Sequence, residues 1–261
     1  MWIVGLVGLG IAAFCGYVVV KARKRQHQMI TTETMAVQDL HALRDAAAEA
    51  AGPGFFRQKC EVVGVSGNGP DGPLTSELSS TECLWHRHVV TRKYWETERR
   101  RDSGGTYRTR RVEKTERVAE RESDQPFTVT DSTGSILVHP ADGALQDMRQ
   151  VLDRFEPHTG STERTELSFG SFSFKLPSSR RDGTIGYRYE EWVLPAGREL
   201  YVLGEVNDER GELAFTAPDL VSTKDEETLL GEARRRERFG LIGGGVAALV
   251  GIVLIVIDVL S

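Results

Sequence analysis

Residues 239–260 read FGLIGGGVAALVGIVLIVIDVL, and Asp258 is the single charged residue of this apolar run. A helix needs about 20 apolar residues to cross the hydrocarbon core of a bilayer, so the run is long enough. Residues 2–20 are also apolar, and no basic residue precedes them as one would in a signal peptide. We therefore expect two transmembrane helices, one at each end of the chain.

Basic residues flank both apolar runs on the side that faces the centre of the chain. They are Lys21, Arg23, Lys24 and Arg25 after the first run, and Arg234, Arg235, Arg236 and Arg238 before the second. Lysine and arginine next to transmembrane helices stay on the cytoplasmic side. The sequence thus predicts a two-pass integral membrane protein of a prokaryotic plasma membrane, with its central part facing the cytoplasm. Alternatively, these clusters only bind lipid head groups, and membrane lipid is a partner in either case.

The fraction of charged residues in the whole chain is ordinary for a protein with a soluble surface. The chain has 261 residues, of which 27% are charged, and its formal net charge is -5. Roughly 200 residues remain when both ends are set aside, enough for one large domain or two small ones. The slight acidity gives no reason to expect nucleic acid as a partner, and three cysteines do not make a disulfide scaffold.

The centre of the chain is predicted to be rich in β-structure. Extended and partly charged runs at residues 84–96 and 107–120, joined by a glycine-containing turn, are typical of a long two-stranded ribbon. Two further runs, at residues 187–194 and 200–206, predict a hairpin around Pro195-Ala196-Gly197. A β-rich domain should therefore occupy residues 55–225.

Helices are expected around this domain. Apolar residues recur at helical spacing in residues 34–51, with Thr34 as a possible N-cap, and this amphipathic helix packs on the domain or forms a short coiled coil. Residues 145–155 have the same spacing and predict a short helix. Residues 226–238 predict a basic helix next to the membrane. The predicted fold is an α+β membrane protein, in which a β-rich central domain with peripheral helices lies between two terminal transmembrane helices.

One stretch, residues 83–88 (CLWHRH), has the composition of a metal site. His86 and His88 would share one face of a strand, whereas Cys83 has the opposite parity, and no further Cys or His pair completes a set of four ligands. We therefore expect no metal and no cofactor, with His86 and His88 as the only candidate ligands. The favoured interpretation of the stretch is a partly exposed polar strand face. The sequence contains no nucleophile elbow, phosphate-binding loop or zinc-protease motif, so no catalytic residue is predicted.

The end of the predicted ribbon is basic. Its arginines are Arg99, Arg100, Arg101, Arg108, Arg110 and Arg111. They are candidate contacts for an anionic surface, whether lipid head groups, nucleic acid or an acidic protein. The alternative is cross-strand pairing with the interleaved acidic residues, on a ribbon that faces solvent.

Several stretches together resemble one protein family. They are residues 73–78 (PLTSEL), 83–88 (CLWHRH), 94–95 (YW), 126–127 (PF), 134–138 (GSILV), 189–197 (YEEWVLPAG) and 200–204 (LYVLG). This set is similar to the GIDE family, the family of the mitochondrial E3 ubiquitin ligase known as Mulan or MAPL. The family's domain between two membrane helices is called BAM, for "beside a membrane", and the resemblance covers roughly residues 55–225.

The resemblance also implies a function. In eukaryotic members a RING domain follows the second membrane helix and performs ubiquitin or SUMO transfer, and a RING requires zinc held by about eight Cys and His ligands. This sequence shows no such ligand set, so the resemblance implies a prokaryotic-type member without a RING. We expect a membrane-anchored module that binds a protein partner or substrate and is not catalytic by itself. The alternatives are a component of ubiquitin-like transfer that needs a separate RING, and a protein that binds anionic lipid.

Overall fold

The computed structural model describes residues 2–101, 107–158, 166–169, 172–175 and 183–260, with side chains for all of these except 2–9, 25, 100, 101, 108, 166–169, 172–175 and 254–260. The described residues form three helices and fourteen strands. These are α1 (Trp2–Thr31), α2 (Val37–Ala51), β1 (Arg57–Gly67), β2 (Leu74–Thr75), β3 (Glu82–Cys83), β4 (Trp85–Arg101), β5 (Tyr107–Glu122), β6 (Phe127–Thr130), β7 (Ser135–Val138), β8 (Leu145–Gln146), β9 (Arg149–Pro157), β10 (Glu166–Phe169), β11 (Phe172–Lys175), β12 (Thr184–Leu194), β13 (Glu199–Asn207), β14 (Ala214–Ser222) and α3 (Glu226–Leu260).

The main sheet closes on itself. β1 pairs with β13 and β6, β6 with β7, β7 with β14, and β14 with β13, so five strands form a ring to which β8 is added. Alternate side chains of β1, such as Cys60 and Val62, are buried in one apolar cluster with Phe127, Val129 and Val202. This follows from the two-residue period of a strand, which sends every second side chain to the same face.

β13 is buried on both of its faces. Leu200 and Val202 belong to the cluster inside the ring, whereas Tyr201 and Leu203 pack outside it with Met29 of α1 and Leu229 of α3. A strand covered on both faces reads as a continuous apolar run, which is what residues 200–203 show. The two long helices therefore cover one outer side of the ring.

α1 and α3 run antiparallel and close together. Gly240 lies against Val19, and Gly244 against Cys15, while Arg23 and Glu237 form an ion pair. Glycine lets two helix backbones approach because it has no side chain to separate them.

The prediction of two transmembrane helices is wrong for the part of the chain that the structure describes. No helix there is both long enough and apolar enough to cross a membrane. The predicted membrane fold and the predicted two-pass localisation with a cytoplasmic central domain are corrected accordingly.

The basic residues that were expected to flank the membrane lie within these two helices. Arg23 in α1 pairs with Glu237, and Arg236 in α3 lies 3.9 Å from Glu232. The others with described side chains are Lys21, Lys24, Arg234, Arg235 and Arg238, and the side chain of Arg25 is not among those described. Their interpretation as markers of membrane orientation depended on the two transmembrane helices, so it is withdrawn together with that prediction.

A second sheet carries the ribbon. Its strand order is β5-β4-β12-β9, all antiparallel. The pairing of β4 with β12 ends at Tyr94, opposite Thr184, whereas the pairing of β4 with β5 continues to Arg101, opposite Tyr107. Beyond Tyr94 the two strands therefore extend as a ribbon past the rest of the sheet; the turn predicted to join them lies outside the described residues.

The predicted short helix at residues 145–155 is absent from the described structure. This segment instead contributes β8, which pairs with β14, and β9, which pairs with β12 from Arg149 to Pro157. Helical spacing of apolar residues is a weak signal over so short a stretch, and strand pairing overrides it.

Candidate functional site

One face of β4 is buried although three of its four residues are polar. His86, His88, Val90 and Arg92 all lie on this face, and none of them is more than 6% exposed. The stretch is therefore not the partly exposed polar strand face that the sequence allowed. Polar groups in such a place need partners, because burial removes their hydrogen bonds to water.

The neighbouring strand β12 places a carboxylate beside the two histidines. In the antiparallel register Glu191 lies opposite His88, and Val193 lies opposite His86. Glu191 is fully buried. One ligand atom from each of His86, His88 and Glu191 lies within 4.8 Å of the others. We call these three residues the His–Glu cluster.

A loop between β2 and β3 surrounds the carboxylate of Glu191. The backbone N–H of Leu78 donates to Oε1 at 2.8 Å. The other oxygen, Oε2, accepts from the Ser76 hydroxyl at 2.9 Å, from the Ser79 backbone N–H at 2.9 Å and from the Ser79 hydroxyl at 2.5 Å. Four donors thus hold one buried carboxylate in a fixed position.

These contacts set the protonation states of the cluster. Burial by itself would raise the pKa of Glu191, but the donors from Ser79, Leu78 and Ser76 outweigh it and hold the pKa below the ordinary value. Burial lowers the pKa of His86 and of His88, and the nearby carboxylates only partly oppose this effect. The cluster therefore favours one carboxylate and two neutral imidazoles.

Glu77 connects the cluster to the surface. Its Oε2 lies 3.4 Å from Nδ1 of His88, and its Oε1 lies 2.9 Å from Arg121 of β5, whose side chain is exposed. The cluster is buried, but only one side chain separates His88 from a solvent-facing charge.

The opposite face of the second sheet is open. It is lined by Thr91, Lys93, Trp95, Glu113, Thr115, Asp153, Phe155, Arg188 and Glu190. Trp95 and Phe155 are 43% and 44% exposed. Charged residues around them are paired: Lys93 with Glu113 at 2.7 Å and Arg188 with Asp153 at 2.6 Å. We call this surface the open face.

The six candidate arginines all lie in the part of β4 and β5 that extends past Tyr94. In the register of β4 and β5, Arg100 lies opposite Arg108, and Arg99 lies opposite Thr109. The side chains of Arg99, Arg110 and Arg111 are exposed, and those of Arg100, Arg101 and Arg108 are not among the ones described. Ion pairs occur nearer the sheet, where Lys114 contacts Glu96 and Glu98. Contact of the arginines with an anionic surface stays a prediction.

The sequence analysis missed Glu191 and the serines that bind it. A signal was available in β12, where Tyr187, Tyr189 and Val193 share one parity with Glu191. A charged residue on an otherwise apolar strand face needs buried partners. The loop that supplies them lies more than a hundred residues earlier in the chain.

A known protein family matches this chain. The family model described as "GIDE: E3 Ubiquitin ligase" matches residues 95–256, which is more than half of the chain. The matched region contains Glu191 and most of the open face, and it begins after His86 and His88. No curated protein and no solved structure matches the chain.

Proposed function

The chain belongs to the GIDE family of E3 ubiquitin ligases, and from that premise we propose that it is a ligase-related module that binds a protein partner or substrate. In this proposal the chain does not transfer ubiquitin by itself. Its contribution is recognition, because ligation depends on bringing a substrate close to the transferring component.

The open face is the observation that carries the proposal. Trp95 and Phe155 keep more than two fifths of their surface exposed on a rigid sheet. Phe155 packs against Gly186, which has no side chain to displace it. Exposed aromatic side chains with adjacent arginine are typical of the residues that contribute most to binding at protein interfaces.

The charges of the open face favour a protein over a polyanion. Lys93 and Glu113 pair across β4 and β5, and Arg188 pairs with Asp153 across β12 and β9. Both signs alternate over the surface, so no strong field of one sign builds up to attract a phosphate backbone. The partner that fits is a protein segment with an apolar anchor and flanking charges of both signs.

Site-specific photocrosslinking in cells tests the proposal. A photoreactive residue is placed at position 155 of the full chain and, as a matched control, at position 55, because Phe55 is also an exposed phenylalanine but lies between α2 and β1 and not in the second sheet. We expect one discrete protein adduct from position 155, lost when Trp95 is changed to alanine, and no such adduct from position 55. Identical adducts at both positions, or an adduct that survives Trp95→Ala, would refute the open face as the binding surface.

A second candidate function follows from the family description, namely participation in ubiquitin-like transfer together with a separate RING protein. A reconstituted reaction with ubiquitin, its activating and conjugating enzymes and the full chain separates the two. We expect no transfer above the reaction without the chain. Transfer by the chain alone would contradict the non-catalytic proposal, and transfer only on addition of a RING protein would support the second candidate.

A further inference from the structure

We propose that His86, His88 and Glu191 bind a divalent transition-metal ion, with Zn²⁺ as the best fit. This inference is independent of partner binding at the open face, which lies on the other side of the sheet. It assigns a role to three buried polar side chains that the proposed function does not use.

The geometry of the cluster is close to that of a zinc site. The three ligand atoms lie within 4.8 Å of one another, and ligands at typical Zn–N and Zn–O distances are about 3.3 Å apart around a tetrahedral ion. The His–Glu cluster is formed by adjacent antiparallel strands, β4 and β12, so its backbone is rigid. Coordination therefore requires the ligand atoms to approach one another by up to about 1.5 Å.

His86 supplies the second observation. It is only 6% exposed, and its buried Nδ1 has no hydrogen-bond partner among the described residues. A buried polar atom without a partner costs free energy. Metal coordination would satisfy it, because an imidazole nitrogen offers a lone pair to a metal.

Glu191 is held as a metal-ligating carboxylate usually is. A carboxylate offers about four lone-pair positions; three donors occupy Oε2 and one occupies Oε1. The remaining capacity is therefore on Oε1. The loop donors from Ser76, Leu78 and Ser79 would act as the outer contacts that orient a ligand and tune its affinity.

The donor set indicates the kind of ion. Two imidazoles and one carboxylate leave a fourth position of a tetrahedron open, and this combination suits zinc better than the oxygen-rich sites of Ca²⁺ or Mg²⁺. Cys83 is close in sequence but is not part of the cluster, and burial followed by the charges of Glu191 and Glu82 raises the pKa of its thiol to about 11. The proposed site thus contains nitrogen and oxygen ligands and no sulfur.

Titration of the metal-stripped full chain with Co²⁺ and Zn²⁺ tests the site. We expect one Co²⁺ per chain, with the strong visible absorption of a four-coordinate ion, displaced by Zn²⁺. His86→Gln and His88→Gln should each weaken binding at least about tenfold, as should the loss of an outer contact in Ser79→Ala. His27→Gln is the matched control, because His27 is an exposed residue of α1. Absence of binding in the wild-type chain, or equal binding in the His86 and His27 variants, would overturn the proposal.

A measurement on the wild-type chain guards against variants that fail to fold. X-ray absorption of the zinc-loaded chain should show nitrogen and oxygen neighbours with the outer scattering of two imidazoles. A sulfur neighbour, or fewer than two imidazoles, would contradict this ligand set.

Discussion

Glu191 is the residue on which the buried face of the second sheet depends. Its carboxylate fixes the loop at residues 76–79 against β12. Residues 76–78 of the loop and Glu191 of β12 belong to stretches that resemble the GIDE family, although they are far apart in sequence. The two segments contact each other in the structure, and each supplies hydrogen-bond partners for the buried polar groups of the other. This contact gives a physical reason for both segments to occur in one protein.

Replacement of this carboxylate by an amide should be costly. Glu191→Gln keeps the shape but removes the charge and one acceptor that four donors share, so we expect the free energy of unfolding to fall by about 3 kcal/mol. Glu190→Gln is the matched control, because Glu190 is the neighbouring residue, is partly exposed, and lies 3.7 Å from Arg188 in an ion pair; its replacement should cost less than about 1 kcal/mol. Chemical denaturation measures both. Equal losses would show that the loop donors do not select a carboxylate.

The two histidines predict a dependence of stability on pH. Burial lowers the pKa of His86 and His88 from the ordinary value of 6.5. As the pH falls through 6.5, these histidines therefore take up protons more readily in the unfolded chain than in the folded chain. The free energy of unfolding of the metal-free chain should therefore fall as the pH drops from about 7.5 to about 5.5. His139 adds to this trend because burial, reinforced by Arg210, also lowers its pKa.

The double variant His86→Gln/His88→Gln isolates the contribution of the cluster. Its denaturation midpoint should change less over the same pH range than that of the wild-type chain. An unchanged slope would assign the effect to other groups.

At the scale of the elements, the packing of α1 on α3 depends on glycine at defined positions. A Cβ at Gly240 would lie 2.6 Å from Cγ2 of Val19, whereas a Cβ at Gly243 would meet nothing within 4 Å. Gly243→Ala should therefore stabilise α3 by up to about 1 kcal/mol through helix propensity. Gly240→Ala should instead lower the free energy of unfolding by about 1 kcal/mol, because α1 and α3 must move apart to make room for the added methyl group. Thermal unfolding compares them, and a stabilising Gly240→Ala would disprove the close approach.

Local signals were sufficient for some elements and misleading for others. The ribbon of β4 and β5 and the hairpin of β12 and β13 were predicted from runs of β-formers between turn residues. The start of α2 was not, because Thr34 was expected as its N-cap. Thr34 instead donates to Glu61, and Asp131 of the β6–β7 turn accepts from the N–H of Val37 at 2.9 Å. A cap supplied from elsewhere in the chain leaves no local signal.

At the scale of the whole molecule, the sequence was informative about the family but not about which distant segments meet in the fold. The family assignment is confirmed by the match to residues 95–256. The His–Glu cluster joins residues of β4 and β12. Predicting it from the sequence would have required the register between two strands that lie about a hundred residues apart. The membrane prediction relied on the apolar character of both ends of the chain, and it was contradicted because no described helix is long and apolar enough to cross a bilayer.

The most direct test of the account is the affinity of the full chain for the protein captured at position 155. Trp95→Ala should weaken this affinity by about 30-fold, equivalent to about 2 kcal/mol, while Phe55→Ala leaves it unchanged. The free energy of unfolding of Trp95→Ala should differ from that of the wild-type chain by less than about 1 kcal/mol, since the side chain is 43% exposed. Wild-type affinity in the Trp95→Ala chain would contradict recognition of a protein partner by the open face.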